Sequence, residues 1–335
     1  MPVDGDIDSG SPARLRFVKM HGIGNDYLYV DALSPGAPAR DGAWLARAAR
    51  IVSDRHFAVG GDGLIALCPP TIAGAHVRMR MFNADGSEGE MCGNGVRCVA
   101  KLAIDRGLAD ARPLRVETGR GVLELDWGRG ADGRVARVSV AMGAPILEHA
   151  RIPARIDGVA PGARVVALPV DLARFGPAGW WEAAGVEPHL TLVSMGNPHA
   201  ILVCRDPRLV PLETVGPRIE RDPWFPARMN VHFVAYGPSP GEAVMRTWER
   251  GSGITLACGT GASAVCVAGV LLGRGARTLD ARLPGGPLRL DWPADDGSVV
   301  MTGPATEVFE GEVDLAALER SLAAHGVVES EDPHG

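Results

Sequence analysis

Two cysteines stand where a thiol becomes an acid or a base. Cys92 and Cys258 are each followed by Gly-x-Gly and then by an apolar stretch of helical character. A thiol just ahead of a helix meets backbone N–H groups without intrahelical partners and about half a positive charge, which favours the thiolate. The same N–H groups can hold a carboxylate, and glycine lets a ligand approach the backbone closely. Two such thiols on opposite faces of one carbon can invert it. One thiolate removes the α-proton, and the other thiol returns a proton to the far face. The α-proton of an amino acid is weakly acidic, so charge developing on the carboxylate needs preorganised donors, which two helix starts supply.

The two cysteines belong to a repeat. An offset of 166 residues carries Met79-Arg80 onto Met245-Arg246, Phe82 onto Trp248, Asn83 onto Glu249, Cys92-Gly93 onto Cys258-Gly259, Gly95 onto Gly261 and Val99 onto Val265 without a gap. Each half reads as a strand (Val77–Phe82; Ala243–Trp248), a Gly-rich loop, Cys-Gly-x-Gly and a helix (Gly93–Asp105; Thr260–Leu272). Both helices are apolar almost all round, which predicts that each is buried in a core. Related by a pseudo-twofold axis, the two helix starts are expected to face each other across an interdomain cleft.

The other chemistry is bounded by composition. None of the six cysteines shows paired metal-ligand spacing, so no metal is expected. A disulfide framework is not expected in a cytoplasmic chain of this size. Cys98 and Cys266 read as packing residues inside the helices, and Cys68 and Cys204 as structural residues at strand ends. A pyridoxal mechanism needs a Schiff-base lysine. The chain has only Lys19 and Lys101, and Lys101 lies in the first repeat helix, so no cofactor is expected. The formal net charge of −6 with scattered arginines argues against a nucleic-acid partner. No apolar run approaches the roughly 20 residues needed to cross a bilayer, so no membrane partner is expected. The polar start, residues 1–13, reads as a flexible tail without a signal-peptide pattern, and the expected location is the cytoplasm.

Five motifs in order extend the pattern: Met20-His21-Gly22-Ile23-Gly24-Asn25-Asp26-Tyr27; Asp54-Arg55-His56-Phe57 with Gly60-Gly61-Asp62-Gly63-Leu64; Phe82-Asn83-Ala84-Asp85-Gly86-Ser87 leading to Met91-Cys92-Gly93-Asn94-Gly95-Val96-Arg97-Cys98; Gly196-Asn197-Pro198-His199 with Met229-Asn230-Val231; and Glu249-Arg250-Gly251 leading to Leu256-Ala257-Cys258-Gly259-Thr260-Gly261-Ala262. On these residues the chain resembles diaminopimelate epimerase over most of its length. The resemblance implies a cofactor-independent isomerase that interconverts LL- and meso-diaminopimelate, a step in lysine and cell-wall precursor biosynthesis, and a homodimer. It implies that Cys92 and Cys258 are the acid/base pair and that Gly93, Asn94, Gly259 and Thr260 hold the reacting carboxylate. Asn25, Asn83, Asn197, Asn230, Glu249 and Arg250 would bind substrate, with Arg250 gripping the distal carboxylate in a two-pronged bond. His199 would touch substrate or orient Asn197. His21 and His56 read as local contacts in loops.

The implied fold class is α/β (α+β), with two pseudo-symmetric domains, each a curved, mainly antiparallel sheet wrapped around a central helix. The expected N-terminal domain is 14–142 with a C-terminal return at 304–325, and the expected C-terminal domain is 143–303. Strand-like stretches are Arg14–Val18, Tyr27–Asp31, Leu114–Glu117, Gly121–Asp126, Arg134–Ala141, Thr191–Val203, Val231–Tyr236, Leu288–Trp292 and Ser298–Gly303, with a hairpin turn at Gly130–Gly133. Gly22-Ile23-Gly24 opens no helix, which excludes a Rossmann site. Three features depart from the resemblance: Ile254 stands where Glu is usual, Gly63 lacks a side chain that can contact substrate, and Pro161–Leu190 has no counterpart. Two rivals share part of the pattern. A racemase of histidine or proline would keep the thiols without needing a distal clamp, and a non-catalytic relative would tend to lose the thiols.

Overall fold

The computed structural model describes residues 14–34, 37 and 41–327; the expected tail at 1–13 lies outside them. The chain forms two compact units. One takes in the described residues up to His21, those within Asp26–Val122 and those from Thr306 to Val327; the other takes in Gly22–Asn25 and Leu123–Ala305.

The first unit opens with strands β1 (Arg14–Gly22) and β2 (Asn25–Asp31), followed by helix α1 (Gly42–Ser53). Strands β3 (Gly63–Cys68), β4 (Val77–Asn83) and β5 (Glu88–Gly89) then lead to helix α2 (Gly93–Asp105) and strand β6 (Leu114–Thr118). Asp41 starts α1 by accepting the Trp44 N–H at 2.7 Å. The apolar face of α1, with Leu45, Ala48, Ala49 and Val52, shares a core with Leu28, Leu64 and Phe82. Strand β7 (Gly121–Arg129) leads into the second unit.

The second unit contains β8 (Val135–Ala141), β9 (Leu168–Pro169), β10 (His189–Ser194), β11 (Pro198–Val203), α3 (Leu212–Glu220), β12 (Asn230–Tyr236), β13 (Glu242–Glu249), β14 (Gly253–Thr255), α4 (Gly259–Leu271), β15 (Thr278–Leu283), β16 (Gly286–Asp291) and β17 (Val300–Gly303). The chain then returns to the first unit as β18 (Thr306–Asp314), antiparallel to β1, and α5 (Leu315–Ala324).

The sequence repeat reappears as a repeat of topology. In the first unit β2 runs parallel to β3, β3 antiparallel to β4, β4 antiparallel to β5, and β4 parallel to β6. In the second, β11 runs parallel to β12, β12 antiparallel to β13, β13 antiparallel to β14, and β13 parallel to β15. β1 with β18, β9 with β10, β10 with β11, β15 with β16, β16 with β17, and both β7 and β17 with β8 pair antiparallel. Helix α4 packs on β10, β11, β12, β15, β16 and β17, and α2 packs on β3, β4 and β6. Both helices are buried along nearly their whole length; α4 is apolar all round, as expected, whereas α2 also buries Asn94, Arg97 and Lys101. The fold class is therefore the mainly antiparallel α+β architecture expected.

Several details differ from the sequence reading. Thr191–Val203 is two strands, β10 and β11, paired Thr191↔Ile201. Met195-Gly196-Asn197, with Gly196 at φ +89°, make the turn between them. His21 lies in β1 opposite Thr306. The expected boundary at 142/143 falls 20 residues after the observed break behind Val122, and that at 303/304 falls two residues before the break behind Ala305; β8 belongs to the second unit because it pairs with β17. Pro161–Leu190 carries β9 and a 3₁₀ turn at Leu172–Phe175. It fills a core: Phe175, Trp180 and Leu190 are buried, and Trp180 Nε1 donates to Leu172 O at 2.8 Å. Among the described residues no helix is long and apolar enough to cross a membrane.

Candidate active site

Cys92 is the residue immediately ahead of α2. Its backbone is extended (φ −128°, ψ 119°), its carbonyl accepts the first helical bond from Val96 N–H at 2.8 Å, and Sγ accepts from Gly95 N–H at 3.4 Å. Gly95 packs closely there: a Cβ would lie 2.7 Å from Ile65 Cδ1, so a larger residue would push that side chain aside. Gly93 and buried Asn94 form the first turn, and Arg97 Nη1 donates back to Gly93 O at 3.2 Å. Asn83 ends β4 and donates from Nδ2 to Ser87 Oγ at 2.9 Å. The following turn is tightened by Asp85, whose Oδ1 accepts both Ser87 N–H and Ser87 Oγ–H.

Cys258 repeats the backbone geometry in the second unit, without the side-chain cap bond. It precedes α4 with φ −128° and ψ 102°, and its carbonyl accepts Ala262 N–H at 2.9 Å. Ser263 Oγ donates to Gly259 O at 3.0 Å, as Arg97 does to Gly93. The surroundings differ. Burial, and after it the charge of Glu249, push the Cys258 thiol well above its usual range, while the Thr260 hydroxyl and Gly261 N–H pull the other way. The helix start alone predicts a favoured thiolate; at Cys258 desolvation outweighs it.

A hydrogen-bonded chain runs through the second unit to this sulfur. Thr260 Oγ1 lies 3.7 Å from Cys258 Sγ and accepts from Asn197 Nδ2 at 3.3 Å. Asn197 Oδ1 meets His199 Nε2 at 3.0 Å, His199 Nδ1 meets His232 Nε2 at 2.8 Å, and His232 Nδ1 meets Thr247 Oγ1 at 2.9 Å. The rings of His199 and His232 are wholly buried. Of the two roles foreseen for His199, the structure shows contact with Asn197. His232 and Thr247 were not singled out from sequence. The available signal was polar residues two apart, Asn230 and His232, in the otherwise apolar strand β12, which places both on one face.

Glu249, Arg250 and Gly251 form a turn pinned from below. Buried Glu220 accepts Trp248 Nε1 at 2.7 Å and Gly251 N–H at 3.2 Å. Asn230, also buried, accepts Arg250 N–H at 3.0 Å and donates to Pro198 O at 2.8 Å. Both ends of its amide are thus occupied by backbone. Arg250 is exposed, with Nη1 donating to Ala227 O at 2.9 Å. Asn25 opens β2 after a turn in which Gly24, at φ +89°, leaves only 2.9 Å between a would-be Cβ and Leu256 Cδ1. That turn abuts the stretch leading to Cys258.

In the first unit a charged hub joins motifs far apart in sequence. Asp26 pairs with Lys19 at 2.6 Å and with Arg55 at 2.6 Å, and Arg55 also reaches Asp62 at 2.9 Å. Lys19 further donates to Gly60 O. His56 sits in the adjoining turn, its N–H held by Asp54 Oδ1 at 2.8 Å.

The departures have local explanations. A Cβ at Gly63 would lie 2.0 Å from Phe82 O at φ +154°, so this strand position excludes any side chain. Ile254 lies on β14 opposite Trp248 and is 39% exposed; its neighbour Thr255 donates to Glu249. The remaining thiols are held protonated chiefly by burial: Cys98 is pushed up to about 11, Cys204 and Cys266 to about 12, and Cys68 upward.

Comparison with known proteins adds an independent line. The family model for diaminopimelate epimerase matches residues 17–148 and 191–308, passing over the segment without a counterpart. A diaminopimelate epimerase of Acetivibrio thermocellus is 45% identical over 306 residues, covering 91% of this chain and all of the relative. One from Desulfitobacterium hafniense is 46% identical over 297 residues, 89% of this chain and 97% of the relative. Among solved structures, a phenazine biosynthesis protein of the PhzF family from Bacillus anthracis shares the fold at TM-score 0.61 and 17% identity, over 90% of this chain and 99% of that one. Identity at this level over nearly the full length, with both capping cysteines in place, means that the chain belongs to the diaminopimelate epimerase family of isomerases.

Proposed function

We propose that the chain interconverts LL- and meso-diaminopimelate by a two-thiol reaction, with Cys92 and Cys258 exchanging the roles of base and acid. The observation that carries this reading is the duplicated cap. Each unit presents a cysteine at the first position before a buried helix, with the same extended backbone and the same Cys-Gly-x-Gly start. Stereochemical inversion needs an acid and a base on opposite faces of the carbon, and a duplicated thiol supplies the pair. Peptide N–H groups of Gly93, Asn94, Gly259 and Thr260 would hold the reacting carboxylate and take up the charge that develops on it. Asn25, Asn83, Asn197 and Glu249 are the proposed hydrogen-bonding partners of the substrate. Arg250, exposed beside the pinned turn, is the proposed clamp for the distal carboxylate, with Asn230 holding that turn in shape.

The names of the relatives support diaminopimelate over the smaller amino acids. The cytoplasm is the proposed location because the reaction needs reduced thiols, which a reducing compartment maintains. A homodimer is the proposed working form, on the family resemblance. Reduced protein given LL-diaminopimelate without added cofactor is expected to yield the meso isomer by chiral chromatography. Turnover of L-histidine or L-proline in place of diaminopimelate would overturn the substrate assignment.

A further inference from the structure

We propose that His232 is a positioning residue for this reaction: it fixes the proton positions of a chain of hydrogen bonds that ends by donating to Cys258 Sγ. The inference rests on the two-thiol reading and adds a residue to it.

The direction of the chain follows from what each atom can do. Asn197 Oδ1, a carbonyl oxygen, only accepts, so His199 carries its proton on Nε2. Uncharged, His199 accepts at Nδ1, and the donor there is His232 Nε2–H, 2.8 Å away. Uncharged, His232 accepts at Nδ1 from the Thr247 hydroxyl at 2.9 Å. At the other end Asn197 Nδ2 donates to Thr260 Oγ1 at 3.3 Å. That leaves the Thr260 hydroxyl hydrogen for Cys258 Sγ, 3.7 Å away. Every hydrogen then points from Thr247 toward the sulfur.

Burial keeps the chain in this form. Both rings are 0% exposed, and desolvation pushes His232 down to about 3, so its ring carries no charge at neutral pH. The ring of His232 lies flush against the start of α4: a Cβ on Gly261 would come within 2.2 Å of its Cε1. The imidazole therefore sets both a tautomer and the height of the helix start. The charged group acting on Cys258 is Glu249 at the end of β13, and it opposes the thiolate, as burial does. A donor chain aimed at the sulfur works against both. The chain run in reverse, with Asn197 turned over, would place both ring protons on Nδ1 and have Cys258 donate to Thr260.

The test reads the tautomers and Cys258 separately from turnover. Nitrogen-15 NMR of the full chain is expected to show His199 and His232 uncharged and protonated at Nε2 from pH 6 to 9. Protonation at Nδ1 in either ring overturns the proposal. His232→Leu is expected to raise the pH midpoint for iodoacetamide alkylation of Cys258, leave that of Cys92 in place, and lower kcat about 10-fold with KM nearly constant. His232→Gln, which can donate and accept at one end, should restore part of the loss. Thr247→Val, which deletes only the far hydroxyl, should move Cys258 in the same direction by less, and serves if His232→Leu does not fold. An unmoved Cys258 midpoint in folded variants would overturn the proposal. Failure of the wild-type protein to epimerise diaminopimelate would overturn the two-thiol reading instead, and the NMR and alkylation results would still decide the role of His232.

Discussion

Cys92 caps its helix through sulfur: the Gly95 N–H donates to Sγ at 3.4 Å, so the thiol sits on the positive end of α2. Either cysteine changed to serine keeps a small polar residue at the helix start and removes the thiol that would carry the proton. Each single variant should lose roughly 10²–10⁴-fold in kcat with unchanged circular dichroism. A variant that keeps more than about half its activity would exclude that cysteine as acid or base.

Glu249 works against the Cys258 thiolate. Glu249→Gln removes the negative charge, so the Cys258 pKa should fall and its alkylation should begin at lower pH, read site by site by mass spectrometry. Turnover should fall as well, because Glu249 is a proposed substrate ligand.

His232 couples stability to acid. Its native pKa, about 3, lies below the ordinary 6.5. Its contribution is therefore complete above pH 6.5 and is lost progressively as pH falls toward 3, at about 1.4 kcal/mol per pH unit. His232→Gln should flatten the decline of unfolding free energy between pH 6.5 and 5 by about that slope. Equal slopes in both proteins would mean that the ring takes up a proton in the native state.

Gly63 tests packing in the other unit. A methyl group there meets Phe82 O at 2.0 Å on a backbone of positive φ. Gly63→Ala should cost about 3 kcal/mol or more, measurable by urea unfolding. A loss below about 1 kcal/mol would show that β3 can move away from β4.

Arg250→Lys keeps the charge and loses the fork. With diaminopimelate the expected loss in kcat/KM is about 10- to 100-fold, the worth of a charged hydrogen bond. A near-normal value would remove Arg250 from the distal carboxylate.

The central features of the site were legible in the sequence because duplication writes the same local signal twice. Helices α2 and α4 end within one residue of the sequence reading, since a Cys-Gly-x-Gly start followed by a predominantly apolar stretch marks a buried helix locally. The split of Thr191–Val203 was legible in Gly196-Asn197-Pro198, a turn sequence that the reading of one continuous strand passed over. The elevated pKa of Cys258 was not legible, because the helix-start rule is local while desolvation comes from residues brought in by the fold. The same holds for His232 and Thr247. Their meeting depends on the β12–β13 register, His232↔Thr247, which no motif records. The Asp26–Arg55–Asp62 hub likewise assembles only when β2, the turn after α1 and the approach to β3 come together.

The most direct test of two thiols on two faces is the early time course of LL-diaminopimelate in D₂O with reduced enzyme. The base thiol takes the substrate proton, and the opposite thiol, already exchanged with solvent, delivers deuterium. The meso product should therefore carry α-deuterium from the first turnovers while recovered LL substrate stays undeuterated. Deuterium appearing equally in recovered substrate and product at the earliest times would mean one base serving both faces, and would contradict the assignment of Cys92 and Cys258 as a pair.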